Sequence, residues 1–237
     1  SLTYASQLLS LEHALEETNL TFSKVDITNF DQVNEEISNF SPDFIFNLAA
    51  ETHVDRSIDF PEPFIKTNII GTFNLLQASL IYWSGISEEK KKDFRFLHVS
   101  TDEVFGDLDL ESTPFSEESK YEPSSPYSAS KASSDHLVRA WHRTYNLPVL
   151  LTNCSNNYGP FQLYEKLIPL IILKCLRGEK LPIYGSGSQI RDWLYVEDHA
   201  EALIRVITKG KIGESYNIGA NCEKTNLDLV KEICKIM

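Results

Sequence analysis

The chain predicts an α/β protein with a doubly wound parallel sheet. Short apolar runs of strand length alternate along it with longer amphipathic stretches of helical period, the pattern of parallel strands connected through helices. Polar residues able to do chemistry gather directly after those apolar runs, and in an open parallel sheet the carboxyl ends of the strands are where ligands bind. With 237 residues there is room for one large domain or two small ones, at about 100 to 200 residues per domain.

In chain order, Phe22 to Ile27 reads as a strand and Asp31 to Phe40 as a helix, followed by a strand from Phe44 to Ala49. Pro63 to Trp83 reads as a long helix in which Ile65, Ile69, Phe73, Leu76 and Leu80 recur at helical spacing and make one buried stripe. Phe94 to Val99 is the next strand. Pro123-Ser-Ser-Pro126 starts a helix from Ser125 to Tyr145, and Val149 to Thr152 is again a strand. After Tyr158 the character changes: Gly159-Pro160 breaks the alternation, Leu163 to Leu176 reads as a helix interrupted near Pro169, and Gly185-Ser-Gly-Ser is a loop. Glu197 to Thr208 and Leu227 to Ile236 are helical. The expected organisation is a sheet-based cofactor domain over 1–158 and a smaller substrate-covering portion over 159–237.

Composition removes several classes. A net charge of −12 argues against an electrostatic grip on nucleic acid. The longest apolar run, Leu167 to Leu173, falls far short of the roughly 20 residues that span a bilayer, so a membrane partner is not expected. Cys154, Cys175, Cys222 and Cys234 are scattered without metal or disulfide spacing and read as thiols of a reducing cytoplasm. His53, His98, His136, His142 and His199 share no helical face and read as structural or solvated; no metal is expected. The Asn-x-Ser/Thr triplets at Asn19, Asn39 and Asn153 are read as accidental.

Chemistry concentrates at three places. Tyr127 and Lys131, four apart, share a helical face, where an ammonium favours the phenolate and makes a workable proton acceptor. Taken alone this spacing also suits a surface helix. Thr101, Asp102 and Glu103 follow directly on a buried strand; two adjacent carboxyl groups in a partly dry cleft can divide into an acid and a base, as an elimination requires. A polar loop capping the next turn is the plainer alternative. Leu48, Ala49, Ala50, Glu51 and Thr52 end a strand with small residues that admit a flat ligand to the backbone, and Asp26 ends another, although either place also suits a helix cap. Arg191, after a glycine-rich loop, suits a bidentate phosphate contact or an ion pair with Asp192.

These residues, with the runs 49–57, 100–106, 125–136, 152–160, 182–185 and 190–199, resemble the extended short-chain dehydrogenase/reductase family, and within it the nucleotide-sugar dehydratases. The resemblance implies a Rossmann-like fold, a tightly held NAD, and dTDP-glucose as the nucleotide-sugar substrate. Tyr127, assisted by Thr101 and Lys131, would remove the C4 hydroxyl proton, Glu103 the C5 proton, and Asp102 would protonate the departing C6 hydroxyl. The product would be dTDP-4-dehydro-6-deoxy-glucose, a precursor of rhamnose and other deoxysugars. Cofactor contacts carry over to Asp26, Ile27, Leu48, Ala49, Ala50, Glu51, Thr52, Thr67, Tyr127, Lys131 and Asn157. Substrate contacts carry over to Thr52, Thr101, Asn156, Glu165, Lys166, Leu167, Pro182, Tyr184, Arg191 and Asn226. A homodimer through the helices at 63–83 and 125–145 is implied as well.

The family's opening strand and glycine-rich turn are not found, and its final part is expected beyond Met237, so the chain reads as an internal piece that would fold poorly and bind NAD weakly by itself. Phe105 stands where the family commonly has Tyr. Competing expectations are a 4-epimerase or decarboxylase sharing Tyr127 and Lys131, a GDP-mannose 4,6-dehydratase, and an inactive fragment or binding protein on the same fold. An epimerase only returns hydride to C4 and has no use for the Asp102–Glu103 pair.

Overall fold

The structure is a computed structural model and describes residues 11–16, 19–108 and 113–237. Its helices are α1 (Glu12–Leu15), α2 (Phe30–Phe40), α3 (Val54–Asp59), α4 (Glu62–Phe64), α5 (Thr72–Gly85), α6 (Glu88–Asp93), α7 (Pro126–Tyr145), α8 (Leu167–Leu176), α9 (Val196–Lys209) and α10 (Asn226–Ile236). A π-helical turn, Ile65–Gly71, joins α4 to α5, and a 3-10 turn covers Asp102–Phe105. The strands are β1 (Phe44–Asn47), β2 (Arg95–Thr101), β3 (Val149–Cys154), β4 (Asn156–Tyr158), β5 (Ile190–Tyr195), β6 (Ser215–Ile218) and β7 (Glu223–Thr225).

Contacts divide the described chain into two compact units, 23–154 with 203–217, and 11–16 and 19–22 with 155–202 and 218–237. The chain thus first leaves the sheet unit after residue 154, returns at 203 and leaves again after 217.

The first unit holds a sheet in the order β1-β2-β3-β6. β1 runs parallel to β2 with Asn47 opposite His98, and β2 parallel to β3 with Thr101 opposite Cys154. Parallel strands need crossovers, which include α5 and α7, and together with α2 these bury one face: Val33 and Ile37 of α2, Leu76 and Tyr82 of α5, and Val138 of α7 pack with Phe94, Phe96, Val149 and Leu151. The second unit has strand order β4-β5-β7, parallel then antiparallel, over a small core of Ile171, Trp193, Leu229, Val230 and Ile233.

Local chemistry explains the boundaries. In α7 the Ser125 hydroxyl accepts from the Ser128 N–H while the Ser128 hydroxyl accepts from the Ser125 N–H, Pro126 supplies a preset first φ, and left-handed Asn146 (φ 58°) ends the helix. Asn29 caps α2 by accepting from Gln32 N–H at 3.2 Å.

Three expectations are corrected. Phe22 to Ile27 forms no strand of either sheet; its polar groups serve helices instead, with the Ile27 carbonyl accepting from the Asn74 amide at 2.9 Å and Ser23 donating to Glu36 at 2.8 Å. The stripe expected from Ile65 to Leu80 is broken. Leu76 is fully buried, but Ile65 and Phe73 are 45% and 39% exposed, because the π-turn inserts an extra residue and shifts the helical phase. Between 64 and 76 the buried positions are Phe64, Asn68, Gly71, Thr72, Asn74 and Leu76. Pro169 does not interrupt a helix: α8 begins at Leu167, which puts the proline in the first turn, where no intrahelical donor is lost. Sequence patterning also passed over α3, α6 and β4 to β7, all of them short or built from mixed polar residues.

Candidate active site

β2 carries its apolar run into the sheet and ends on Thr101, whose hydroxyl faces three ways. It accepts from the Glu103 N–H at 3.3 Å, donates to Asp102 Oδ1 at 3.2 Å, and is hydrogen-bonded to the Tyr127 phenol. The 3-10 turn that holds the carboxyl pair closes on Gly106 at φ 92°, where a Cβ would meet the Glu122 carbonyl at 2.5 Å. Phe105 is buried in that turn and stacks on Phe115 at 5.1 Å, so the residue expected as a Tyr is an apolar anchor here.

Tyr127 sits in the first turn of α7, buried, its ring edge-on to Phe64 at 6.3 Å and its N–H donating to Ser57 at 3.1 Å. Lys131, one turn later and 3% exposed, donates from Nζ to the Val99 carbonyl at 2.8 Å. The expected lowering of the phenol by this ammonium is not what the structure shows. Burial pushes Tyr127 above its ordinary value, the Glu103 charge adds to that, and the Thr101 hydrogen bond offsets only part. Burial also pulls Lys131 down, against the Asp135 carboxylate that favours its charge.

Behind this pair runs a buried polar row that sequence reasoning missed. Asn47 contacts His98 Nδ1 at 3.0 Å, His98 Nε2 lies 3.4 Å from Asp135 Oδ1, and Asp135 Oδ2 accepts from Ser100 at 2.8 Å and from Tyr121 at 2.9 Å. Burial, with the Lys131 charge second, lowers His98 to about 4, so the ring is neutral. His98 is thus structural, as expected of it. The signal available in the sequence was a histidine inside the apolar run Phe94 to Val99.

The small-residue stretch after β1 is positioned by Asn68, another residue passed over. Its amide oxygen accepts from Glu51 N–H at 2.8 Å, and its nitrogen donates to the Glu51 carbonyl at 3.0 Å and to Ser130 at 2.8 Å. One side chain in the π-turn therefore ties the backbone after β1 to α7. Leu48, Ala49 and Thr52 are exposed, Ala50 and Thr67 half-buried. Asp26 caps no helix; it accepts from the N–H and the hydroxyl of Thr28, and the backbone bond, the larger cause, lowers its pKa. Ile27 packs against Gly71, where a Cβ would come within 2.5 Å. A cleft of about 370 Å³ elsewhere in this unit, lined by Glu117, Tyr121, His136, Arg139 and Glu214 among others, contains none of the expected site residues.

In the second unit Asn157 lies on β4, its amide nitrogen donating to the Ser155 carbonyl at 3.1 Å and its oxygen 2.7 Å from His199 Nδ1. Asn156 pairs with Trp193 of β5. Glu165, Lys166 and Leu167 lead into α8, Asn226 opens α10, and Pro182 is half-buried. Tyr184 and Arg191 are exposed, Tyr184 beside a turn with left-handed Gly185 and Gly187. Arg191 does not pair with Asp192: it donates to the Ile190 carbonyl at 2.8 Å, while Asp192 accepts from Ala220 and Cys222 N–H at 2.7 Å each.

A parallel sheet with a Tyr-x-x-x-Lys helix beside the end of a strand that continues into a Thr-Asp-Glu turn defines a short-chain dehydrogenase/reductase type of nucleotide-sugar enzyme. The chain belongs to the family described as GDP-mannose 4,6 dehydratase, whose model matches residues 1–237, and within it to the dTDP-glucose 4,6-dehydratases. It is 55% identical to the dTDP-glucose 4,6-dehydratase of Haemophilus influenzae over 236 residues, covering 100% of this chain and 70% of that protein. Against the Salmonella typhimurium enzyme of the same name the identity is 56% over 244 residues, with 100% and 68% covered. The dTDP-glucose 4,6-dehydratase DesIV of Streptomyces venezuelae, solved with NAD bound, superposes with a TM-score of 0.91 at 42% identity, over 99% of this chain and 69% of that one. A UDP-glucuronic acid 4-epimerase from Bacillus cereus follows at 0.85 and 28%, over 97% and 69%.

Proposed function

We propose that this chain converts dTDP-glucose to dTDP-4-dehydro-6-deoxy-glucose with NAD. The observation that carries the reading is the contact of the Tyr127 phenol with Thr101 at the head of the Asp102–Glu103 turn, which joins the proton acceptor of an oxidation to the acid and base of an elimination. The residues present fit the dinucleotide: the Leu48 to Glu51 backbone is small, accessible and pinned by Asn68 at the carboxyl end of β1, next to the helix that bears Tyr127 and Lys131.

NAD would supply the acceptor for hydride from C4 and the donor of hydride to C6. Asp26, Ile27, Leu48 to Thr52, Thr67, Lys131 and Asn157 would hold it. Tyr127 accepts the C4 hydroxyl proton. The resulting ketone acidifies C5, Glu103 removes that proton, and Asp102 protonates the C6 hydroxyl as water leaves. Glu103 returns its proton to C5 as C6 is reduced. An epimerase, which only returns hydride to C4, has no use for the last two carboxyl roles.

The first unit in this reading takes the dinucleotide, and Asn156, Glu165, Lys166, Leu167, Pro182, Tyr184, Arg191 and Asn226 of the second take the nucleotide sugar, with Arg191 free of the Asp192 pairing and suited to the diphosphate. We also place the enzyme in the cytoplasm as a homodimer. No helix among the described residues is long and apolar enough to cross a membrane. Ile65, Ile70, Phe73 and Tyr145 expose apolar surface on the π-turn, α5 and α7, and the edge-on contact of Phe73 with Trp141 at 5.8 Å joins α5 to α7.

Incubating the full-length protein with dTDP-glucose and following the alkali absorbance of the 4-keto product tests the reading. Glu103→Gln should abolish water loss while C4 oxidation remains visible as reduced cofactor. Dehydration that survives this change removes Glu103 as the base.

A further inference from the structure

We propose that His199 is a positioning residue for the dinucleotide: its Nδ1–H holds the Asn157 amide one way round, so that Asn157 meets the cofactor as a donor. This rests on the reading above in which Asn157 helps to hold NAD.

The pair is assembled by the second unit's sheet. β4 runs parallel to β5 with Asn157 opposite Leu194, and α9 starts at Val196 directly after β5, which brings His199 in its first turn against a residue 42 positions earlier. The Asn157 backbone is held as well, its carbonyl accepting from Gln162 Nε2 at 2.8 Å.

An asparagine amide has two ends of similar outline and opposite hydrogen bonding. Here the nitrogen donates to the Ser155 carbonyl at 3.1 Å, so the oxygen is the end that faces His199 Nδ1 at 2.7 Å. An amide oxygen only accepts. The imidazole proton therefore sits on Nδ1. Burial pulls the His199 pKa below its usual value, which keeps the ring neutral at pH 7 and leaves Nε2 without a proton.

His199 is 6% exposed, and its Nε2 is a buried atom with no hydrogen-bond partner among the described residues. A side chain kept only to fill this space would do better as an apolar one, since a buried polar atom left unbonded costs free energy. What a histidine adds here is the Nδ1 bond, and that bond goes to a side chain of the cofactor set. With its oxygen engaged, Asn157 serves the cofactor through its amide nitrogen, which suits an acceptor oxygen of the dinucleotide. Without the Nδ1 donor the amide loses the shorter of these two bonds and turns more freely.

The test is the NAD affinity of the full-length protein, stripped of cofactor and titrated by calorimetry. Two variants separate the donor from the shape. Asn and Leu share a branched outline, but His199→Asn puts an amide nitrogen where Nδ1 was, whereas His199→Leu has no donor there. His199→Leu should bind NAD about tenfold more weakly than the parent, and His199→Asn should recover most of that loss. A purely structural role would rank them the other way, because Leu is the side chain more readily buried. Parent-like affinity in His199→Leu, or equal losses in the two variants, overturns the proposal. In an Asn157→Ala background His199→Leu should cost no further affinity; additive losses would mean that His199 does not act through Asn157, and overturn it too. If Asn157→Ala binds NAD like the parent, the cofactor role of Asn157 fails and the proposal with it. Absence of 4-keto product from the unaltered protein sinks the dehydratase reading instead, and leaves these affinities to decide the role of His199.

Discussion

The expected site residues of the two units are built in different ways. In the first, Thr101, Tyr127 and Lys131 are buried, Asn68 holds the Glu51 backbone and the Ser130 hydroxyl, and Asp135 holds the Ser100 hydroxyl, by hydrogen bonds of 2.8 to 3.0 Å. In the second, Tyr184 is 72% exposed and Arg191 lies at the surface on a backbone carbonyl. Groups that move protons are thus fixed before any ligand arrives, which is what lowers the reorganisation a reaction must pay for. Groups that recognise a nucleotide sugar keep side-chain freedom and lose it on binding.

That contrast is open to attack, beginning where the effect is largest. Tyr127→Phe should leave the fold intact and reduce kcat by about 10²- to 10⁴-fold, measured as 4-keto product formed; a smaller loss would mean that the fixed phenol is not the acceptor.

Next in size is acid. His98 sits at about 4 in the folded chain, below its usual 6.5, so between those values the unfolded chain binds a proton that the folded one refuses. Stability from this group is therefore full above pH 6.5, declines as the pH falls toward 4, and changes no further below that, for a total on the order of 3 kcal/mol. Urea midpoints taken between pH 7 and pH 4 should show this fall, and His98→Gln should flatten it.

Smaller again, Asn68→Ala should cost about 2 kcal/mol in a denaturant melt, since buried partners on Glu51 and Ser130 lose their bonds. Tyr184→Ala, in the exposed set, should move stability by less than about 0.5 kcal/mol and act on KM for the nucleotide sugar. Equal effects of the two substitutions on stability would erase the distinction between the units.

How much of this was legible in the sequence follows the same division. The strands β1 to β3 and the helices α2 and α7 announce themselves because apolar period and caps agree, as Ser125-Pro126 does at the head of α7. Tyr127, Lys131 and the Thr101 to Glu103 run were readable because a chemical motif follows a strand. Phe22 to Ile27 was misread because a strand needs a ladder partner, which local pattern does not supply. The phase of Phe64 to Leu76 was misread because periodicity counting assumes a constant number of residues per turn. Asn47, Asn68 and Asp135 escaped notice for a third reason: a polar residue in an apolar segment has its meaning only through partners far along the chain, such as Ser130 for Asn68.

The π-turn has one further consequence. Removing any single residue between Ile65 and Gly71 would let this stretch relax to regular α-helix, and everything before the cut would swing about 100° around the axis relative to α5. Asn68 would then face away from Ser130, the backbone beyond β1 would lose its tether, and Phe64 would leave the ring of Tyr127. This stretch should accept many substitutions on its exposed side yet tolerate no change in length, a constraint that a survey of engineered insertions and deletions would expose at once.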